Sequence, residues 1–452
     1  MKVIRDSVWK QPCADGFPPS SCKWSHWNDT IQFGNDYIVF NTLSGAVVVL
    51  SEYEHAGRLP VSLHPSLLKL GILVPVAADE PSDWLAGYEK AKVDMSSLDL
   101  TIATTMQCQL GCVYCFEGTG NREGILDDDV MRHIEQFVER CDNLKTLRVT
   151  WFGGEPLLNV KAITGLSTFF VDYCARNGID YMADMTTNGY ALTPQLCHTL
   201  IEECNVKRYI ITIDGTRDVH NRRRRLRGGG GTFDVIWKNV LALVDAGAFV
   251  TVRMTIDREN ADRVFEFIDM LAASEVTGRV GLAFAKTVGL SSTPQAAQVH
   301  IMTDEEYAER EIEFIRYAHD KGLLRYTTPR PCPLGGCLRS GDIVIGAAGE
   351  TYKCLDTIGE REWVAGSVCR ETNVQVEPEW YGRWLSWNPF KSNQCKDCRL
   401  LPLCNGGCPH NALFASKKHG VEHQCPDWKA NYEKRMKLYV EEKLNAHEYK
   451  EI

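Results

Sequence analysis

The sequence has no run of apolar residues approaching the ~20 that span a bilayer, and its opening residues, Met1–Ser7, carry no signal-peptide pattern. Both absences predict a cytoplasmic chain with no membrane partner. Basic charge is not in excess either: 50 Lys and Arg stand against 59 Asp and Glu, a net charge of -9. That balance excludes a general attraction to nucleic acid or anionic lipid. No internal repeat or low-complexity tract is present. Against these absences stand 18 cysteines. A cytosolic chain keeps its thiols reduced, so this number points to metal ligation before disulfides. The hydrophobic fraction of 44% and charged fraction of 24% are those of an ordinary globular chain.

At ~150 residues per domain, the 452 residues suggest two or three domains. Residues 1–90 read as a small α+β, winged-helix-like module. Tyr37–Phe40 and Ala46–Leu50 flank Asn41–Gly45 as a hairpin. Short helical patterns follow at Glu52–Arg58 and Pro65–Leu70, then a returning strand at Gly71–Pro75 and a polar linker at Asp79–Asp83. Cys13 and Cys22 read as free thiols. Over residues 91–325 strands and helices alternate. Strands are predicted at Leu98–Thr104, Thr146–Trp151, Asp180–Thr186, Arg208–Ile213, Phe249–Ile256 and Arg279–Ala285. Helices are predicted at Asp127–Cys141, Val160–Arg176, Thr193–Glu203, Phe233–Ala246, Ala261–Ala272 and Thr303–His319. Six such units predict a partial (β/α)6 TIM-like barrel, an α/β fold whose chemistry gathers at the carboxyl ends of its strands. From 326 to 452 cysteine, glycine and proline rise, and regular periodicity is lost until a helix near Asp427–Leu444.

Met106–Glu117 leaves the first predicted strand and places Cys108, Cys112 and Cys115 at C-x3-C-x2-C. Thiolates suit iron–sulfur clusters and zinc. Three cysteines cannot pair evenly, and a structural zinc site uses four ligands. Three thiolates on a cube of four irons leave one iron for another ligand. The second strand runs into Gly153, Gly154 and Glu155, where the glycines are expected to let the backbone approach a ligand and the carboxylate to bind a cation. The third ends in Thr187-Asn188-Gly189 and the fourth in Asp214-Gly215. The fifth carries Arg253 among apolar neighbours, a charge that needs a partner: either a ligand carboxylate or a structural ion pair. Arg222–Arg227, before Gly228–Gly231, reads as a solvated loop or as a mobile flap touching an acidic peptide or a cofactor.

This series of strand ends resembles the radical S-adenosylmethionine (SAM) superfamily over residues 98–320. The resemblance implies a [4Fe-4S] cluster on Cys108, Cys112 and Cys115, with its fourth iron chelated by SAM. It implies Gly153, Gly154 and Glu155 at the methionine amino group, and Thr187, Asn188, Asp214 and Arg253 as further contacts. Reductive cleavage of SAM would yield a 5′-deoxyadenosyl radical that abstracts hydrogen, the cofactor carrying the hard chemistry.

A second cysteine set reads Cys332-x4-Cys337-x16-Cys354, then Cys395-x2-Cys398-x5-Cys404-x3-Cys408-x16-Cys425. Eight cysteines allow two four-ligand sites, and zinc ribbons also use C-x2-C. With Gly349-x4-Cys354, the set resembles the SPASM extension, which implies two auxiliary [4Fe-4S] clusters. The interleaved pattern of that family gives Cys332, Cys337, Cys354 and Cys408 to one, and Cys395, Cys398, Cys404 and Cys425 to the other. Spacing alone leaves sequential pairing open. Cys141, Cys174, Cys197 and Cys204 fall in helical patterns and read as core; Cys369 has no assignment.

SPASM-bearing enzymes modify peptides and proteins. Residues 30–75 are similar to the element that binds leader peptides in maturases of ribosomally made peptides, where an edge strand accepts an extended peptide. Sulfatase maturases carry Asp directly after the Gly-x4-Cys cysteine, whereas here Leu355 follows Cys354 and Asp356 comes one later. The expectation is a maturase that binds a precursor peptide by its leader and forms a thioether or carbon–carbon crosslink, fed by a one-electron donor such as flavodoxin or ferredoxin. A formylglycine-forming sulfatase maturase and a non-catalytic zinc or iron–sulfur scaffold are the alternatives.

Overall fold

The structure, a computed structural model, describes residues 1–7, 21–55, 59–115, 124–288, 300–331, 334, 336–369, 378–418 and 425–451. Two compact units form, each from segments distant in sequence. One gathers residues 1–92, 326–335 and 386–452; the other gathers 93–325 and 336–385.

In the first unit, β1 (Lys2–Arg5), β3 (Asn28–Phe33), β4 (Asp36–Asn41) and β5 (Val47–Ser51) form an antiparallel sheet, with β2 (Cys22–Trp24) and β6 (Leu73–Pro75) paired beside it. The hairpin lies where the sequence places it, with Ile38 opposite Val49 and Val39 opposite Val48. The unbroken run Val47–Leu50 is explained by burial on both faces. Ile38, Phe40, Val47 and Val49 pack against Leu400, Leu403 and the helix Tyr432–Asn445, through Tyr432, Met436 and Val440. Val39, Val48 and Leu50 pack against Leu63, Leu67, Leu70 and Ile72. The N-terminal segment therefore shares its core with the cysteine-rich C-terminal one. The expected linker Asp79–Asp83 is instead the start of a helix, Glu80–Lys92. Pro81 sits in its first turn, where its missing N–H costs nothing. Glu80 is buried, accepting hydrogen bonds from the Ser25 hydroxyl and the His26 amide.

In the second unit, six parallel strands pair in chain order: β7 (Ser97–Thr105), β8 (Thr146–Gly153), β9 (Asp180–Thr187), β10 (Val206–Thr212), β11 (Phe249–Ile256) and β12 (Val280–Lys286). Alternate residues face the helices. Leu98, Leu100 and Ile102, then Leu147, Val149 and Trp151, then Val250, Val252, Met254 and Ile256 join one core with Ile134, Phe170, Leu243 and Phe267. The intervening residues, Thr186, Thr212, Arg253 and Thr255 among them, point to the other face, as the period of two dictates. Helices start at built caps: Asp127 accepts from the amides of Asp129 and Val130, and Thr303 forms a capping box with Glu306. The predicted helix Thr193–Glu203 ends in a π-helical turn, Thr199–Glu203. This mixed α/β arrangement of a parallel sheet and crossover helices is consistent with a partial barrel.

Regular structure continues beyond residue 325, against expectation. β13 (Asp342–Ile345) adds to β7 in parallel, and β14 (Glu350–Tyr352) and β15 (Gly366–Ser367) follow antiparallel. Strands of two to four residues leave no period to read in the sequence. Among the described residues no helix is long and apolar enough to cross a membrane.

Candidate active site

A cavity of about 300 Å3 opens at the carboxyl ends of the parallel strands. Cys108, Cys112 and Cys115 line it, with Gly153 and Gly154 from the end of β8, Thr187 and Asn188 from β9, and Arg253 from β11. The cavity is also lined by Tyr114, Lys286, Thr287 and Asp356, which the sequence did not place in the site, and by Arg224, which it offered only as part of a flap touching a cofactor. Lys286 and Thr287 close the sixth strand, so the rule that barrels work at strand ends was the signal for them. Glu155 and Asp214 are fully buried and stand behind the wall. Phe116 and Glu117 of the cysteine stretch lie outside the described residues.

The two glycines are needed for a reason beyond the one expected. Gly153 has φ 119°, and a Cβ there would stand 2.1 Å from the Thr105 carbonyl oxygen. A Cβ on Gly154 would stand 2.4 Å from the Gln107 carbonyl oxygen. The glycines thus admit the backbone that leads into Cys108, and the Gly154 and Glu155 amides donate to Thr105 and Gln107. The Glu155 carboxylate then clamps the next strand end, accepting from Thr187 Oγ1 at 2.5 Å, the Asn188 amide at 2.7 Å and the Leu157 amide at 3.1 Å. Burial raises its pKa, and these three donors oppose the rise. Asn188 Nδ2 in turn lies 3.7 Å from Cys108 Sγ.

The arginine run is a solvated loop only in part, since Arg222, Arg225 and Arg227 are exposed while Arg224 lines the cavity. Arg217–Arg223 is a short helix, and the chain after it pairs with the cysteine loop: Gly111 donates to the Arg225 carbonyl, Val113 to Arg223, and Arg227 to Gln109. Arg222 is exposed, but Arg223 and Arg224 are buried. Arg223 grips Asp257 through both terminal nitrogens at 2.9 and 3.0 Å, reaches Asp214 at 3.4 Å, and lies over the Tyr114 ring. Tyr114 donates to Asp214 at 2.6 Å and accepts from Arg224 Nη1 at 2.9 Å. Burial pushes the Cys108 thiol up to about 11 and raises Cys112, while the nearby Arg224 charge favours both thiolates. His220 packs beneath with its pKa lowered to about 3 by burial and by Arg224, and is neutral.

These residues fit a cofactor that is anionic and rich in acceptors. Arg224 Nε, Arg253 Nε and Thr287 Oγ1 are buried in the cavity wall without a hydrogen-bond partner among the described residues. Arg253 reaches the Thr212 hydroxyl at 3.3 Å and pairs with no carboxylate among the described residues, where the structural ion pair is not observed. No group of three His, Cys, Asp or Glu among the described residues converges tightly enough to hold one metal ion. A polynuclear cluster spreads its thiolates more widely than a single zinc does.

Of the second cysteine set, Cys395, Cys398, Cys404 and Cys425 come together in one unit. Burial pushes Cys404 up to about 11, with Cys398 and Cys395 adding to the rise. Cys398 and Cys425 share the ammonium of Lys429, at 3.5 Å from each sulfur. Of the other four, Cys332 lies outside the described residues, Cys337 and Cys354 belong to the barrel unit, and Cys408 to the other unit. Cys174, Cys197 and Cys204 are free thiols buried in the main core, and Cys141 and Cys369 pack at its margin. Cys22 packs beside β1–β6 apolar residues, and Cys13 lies outside the described residues.

A parallel sheet carries three cysteines at the first strand end and Gly-Gly-Glu at the second, and residues 102–271 match the Radical SAM superfamily. Maturases are among its relatives. It is 24% identical over 331 residues to the mycofactocin maturase MftC of Mycolicibacterium smegmatis, covering 70% of this chain and 79% of that one. It is 24% identical over 357 residues to the serine-type anaerobic sulfatase-maturating enzyme of Bacteroides thetaiotaomicron, covering 70% and 84%. Its fold resembles that of Streptococcus suis SuiB bound to the precursor peptide SuiA, with a TM-score of 0.51 at 16% identity, over 86% of this chain and 95% of that one. A SPASM-type radical SAM maturase fits this set of relatives.

Proposed function

We propose that the chain is a radical SAM peptide maturase that abstracts hydrogen from a leader-bound precursor peptide and forms a side-chain crosslink. The observation that carries the reading is the cavity: three cysteines line it together with a half-buried Arg253 that has no carboxylate partner among the described residues. Cys108, Cys112 and Cys115 would hold a [4Fe-4S] cluster. Gly153 and Gly154 would serve the amino end of SAM, and Thr187, Asn188 and Arg253 its carboxylate and ribose, while Glu155 and Asp214, expected as direct contacts, are buried behind the wall and would position Asn188 and Tyr114. When bound, cluster and cofactor supply a one-electron cleavage that generates a hydrogen-abstracting radical. The chain's own part is to orient the cofactor and exclude water, and burial of Arg223 and Asp214 behind the wall keeps that side closed. In this reading residues 1–90 recognise the leader, 91–325 are the catalytic barrel, and 326–452 are a SPASM domain with two auxiliary clusters.

β3 supports leader binding. It ends the sheet and has no second strand partner among the described residues, so an extended peptide can pair along Asn28–Phe33. Amide hydrogen exchange should slow over 28–33 when precursor peptide is added. One observation favours the sulfatase-type reading: Asp356 lines the cavity although it stands one residue later than that family's pattern, where it would accept the proton lost on oxidation.

The test is anaerobic incubation with reductant, SAM and the short peptide encoded beside this chain. A product lighter by two hydrogens supports the crosslink. Accumulation of 5′-deoxyadenosine with an unchanged peptide overturns it, and formylglycine in a sulfatase-derived peptide selects the second reading. Reconstitution separates both from a zinc scaffold, since three clusters bring about twelve irons per chain.

A further inference from the structure

After Cys425 the chain turns at once. Pro426 precedes a single 3-10 turn, Asp427–Ala430, in which the Lys429 amide donates to the Pro426 carbonyl at 3.0 Å. The turn folds Lys429 back over the cysteine four positions before it. Its Nζ lies 3.5 Å from Cys425 Sγ and 3.5 Å from Cys398 Sγ, and the side chain is half-buried. Lysines elsewhere in the chain, such as Lys161, Lys321 and Lys443, pair with carboxylates. Among the described residues Lys429 pairs with none, and its ammonium is directed at two sulfurs instead.

We propose that Lys429 raises the reduction potential of the auxiliary cluster on Cys395, Cys398, Cys404 and Cys425. The inference rests on the cluster assignment above. Reduction adds one negative charge to a cluster and its thiolates, and a fixed positive charge on two of those sulfurs favours the more negative state. Hydrogen bonds to cysteine sulfur are one of the means by which proteins set such potentials. Lys429 is a positioning residue in this role: it touches the ligands, not the substrate.

The test uses the full chain, reconstituted anaerobically with Cys108, Cys112 and Cys115 replaced by Ala, so that only auxiliary clusters are titrated. Iron is counted and the potentials are followed by electron paramagnetic resonance. Lys429→Met should keep about eight irons and shift the reduction equilibrium of one cluster at least tenfold against reduction, about 59 mV for one electron. The other cluster should not move, and Lys429→Arg should recover most of the shift. If Lys429→Met loses iron, Lys429→Gln, which keeps a donor without the charge, is titrated under the same criterion. Unshifted potentials at full iron content overturn the inference alone. Iron content that does not fall in Cys398→Ala overturns the cluster assignment, and this inference with it.

Discussion

Arg253 stands on a strand whose helix-facing residues are Val, Met and Ile, and its guanidinium reaches the Thr212 hydroxyl in the cavity wall. A charged hydrogen bond to a bound carboxylate contributes about 1.5–3 kcal/mol. Arg253→Met should therefore weaken SAM binding at least about tenfold, measured by calorimetry under anaerobic conditions. Its melting temperature should not fall, because the change removes a charge that has no ion-pair partner among the described residues. His220 makes the opposite kind of prediction, one about pH. Its folded pKa, about 3, lies below the ordinary histidine value because of burial and the facing Arg224, with Asp214 opposing. A depressed pKa contributes stability that is present above about 6.5 and lost as pH falls toward 3, at about 1.4 kcal/mol per pH unit. Denaturant melts at pH 7, 5 and 4 should show that loss, and His220→Gln should flatten it. A wild-type chain equally stable at pH 7 and 4 would contradict the assignment.

At the level of elements, two loops that meet at the cavity depend on backbone that only the fold brings together. Gly154 is pressed against Gln107, and any side chain there would push the cysteine loop outward. Gly154→Ala should leave Cys108, Cys112 and Cys115 intact yet lower iron incorporation by roughly four per chain, measured after reconstitution against wild type. Full incorporation would show that the loop adapts. The glycines were legible in the sequence as special, but not this reason, since the colliding carbonyls lie at the end of another strand and in the loop that follows it. The arginine run was legible as a feature, and its solvated reading holds for Arg222, Arg225 and Arg227 but not for Arg223 and Arg224. Its charges suggested solvent, yet Arg223 is held by Asp214 and Asp257, which lie on two other strand ends. Such an ion network is invisible in a run of letters because its partners are up to 34 residues away.

At the scale of the molecule, the N-terminal sheet and the C-terminal cysteine segment share one core. Phe40 packs into the cluster that holds Leu400 and Leu403, which flank Cys398 and Cys404. Phe40→Ala should cost about 3–5 kcal/mol in denaturant unfolding. It should also reduce iron bound by the second cysteine set, measured with the Cys108, Cys112 and Cys115 ligands removed. Loss of stability without loss of iron would show that the cysteines are held independently of the sheet.

By itself the sequence determined what is local. Strand and helix positions over 98–320 follow from periods of 2 and 3.6, and the candidate ligands follow from the spacing of cysteines within loops. Both are properties of neighbouring residues, which the chain expresses before it folds. The tertiary structure decided everything that needs a partner far along the chain. It left Arg253 without a carboxylate among the described residues, paired the chain after Arg223 with the cysteine loop, and brought Asp356 to a cavity built mostly from residues 108–288. It also set the N-terminal sheet against a helix some 390 residues later. Burial is the physical reason: it makes an isolated charge or an apolar face costly, and which groups share a buried site is settled only when the whole chain has closed around them.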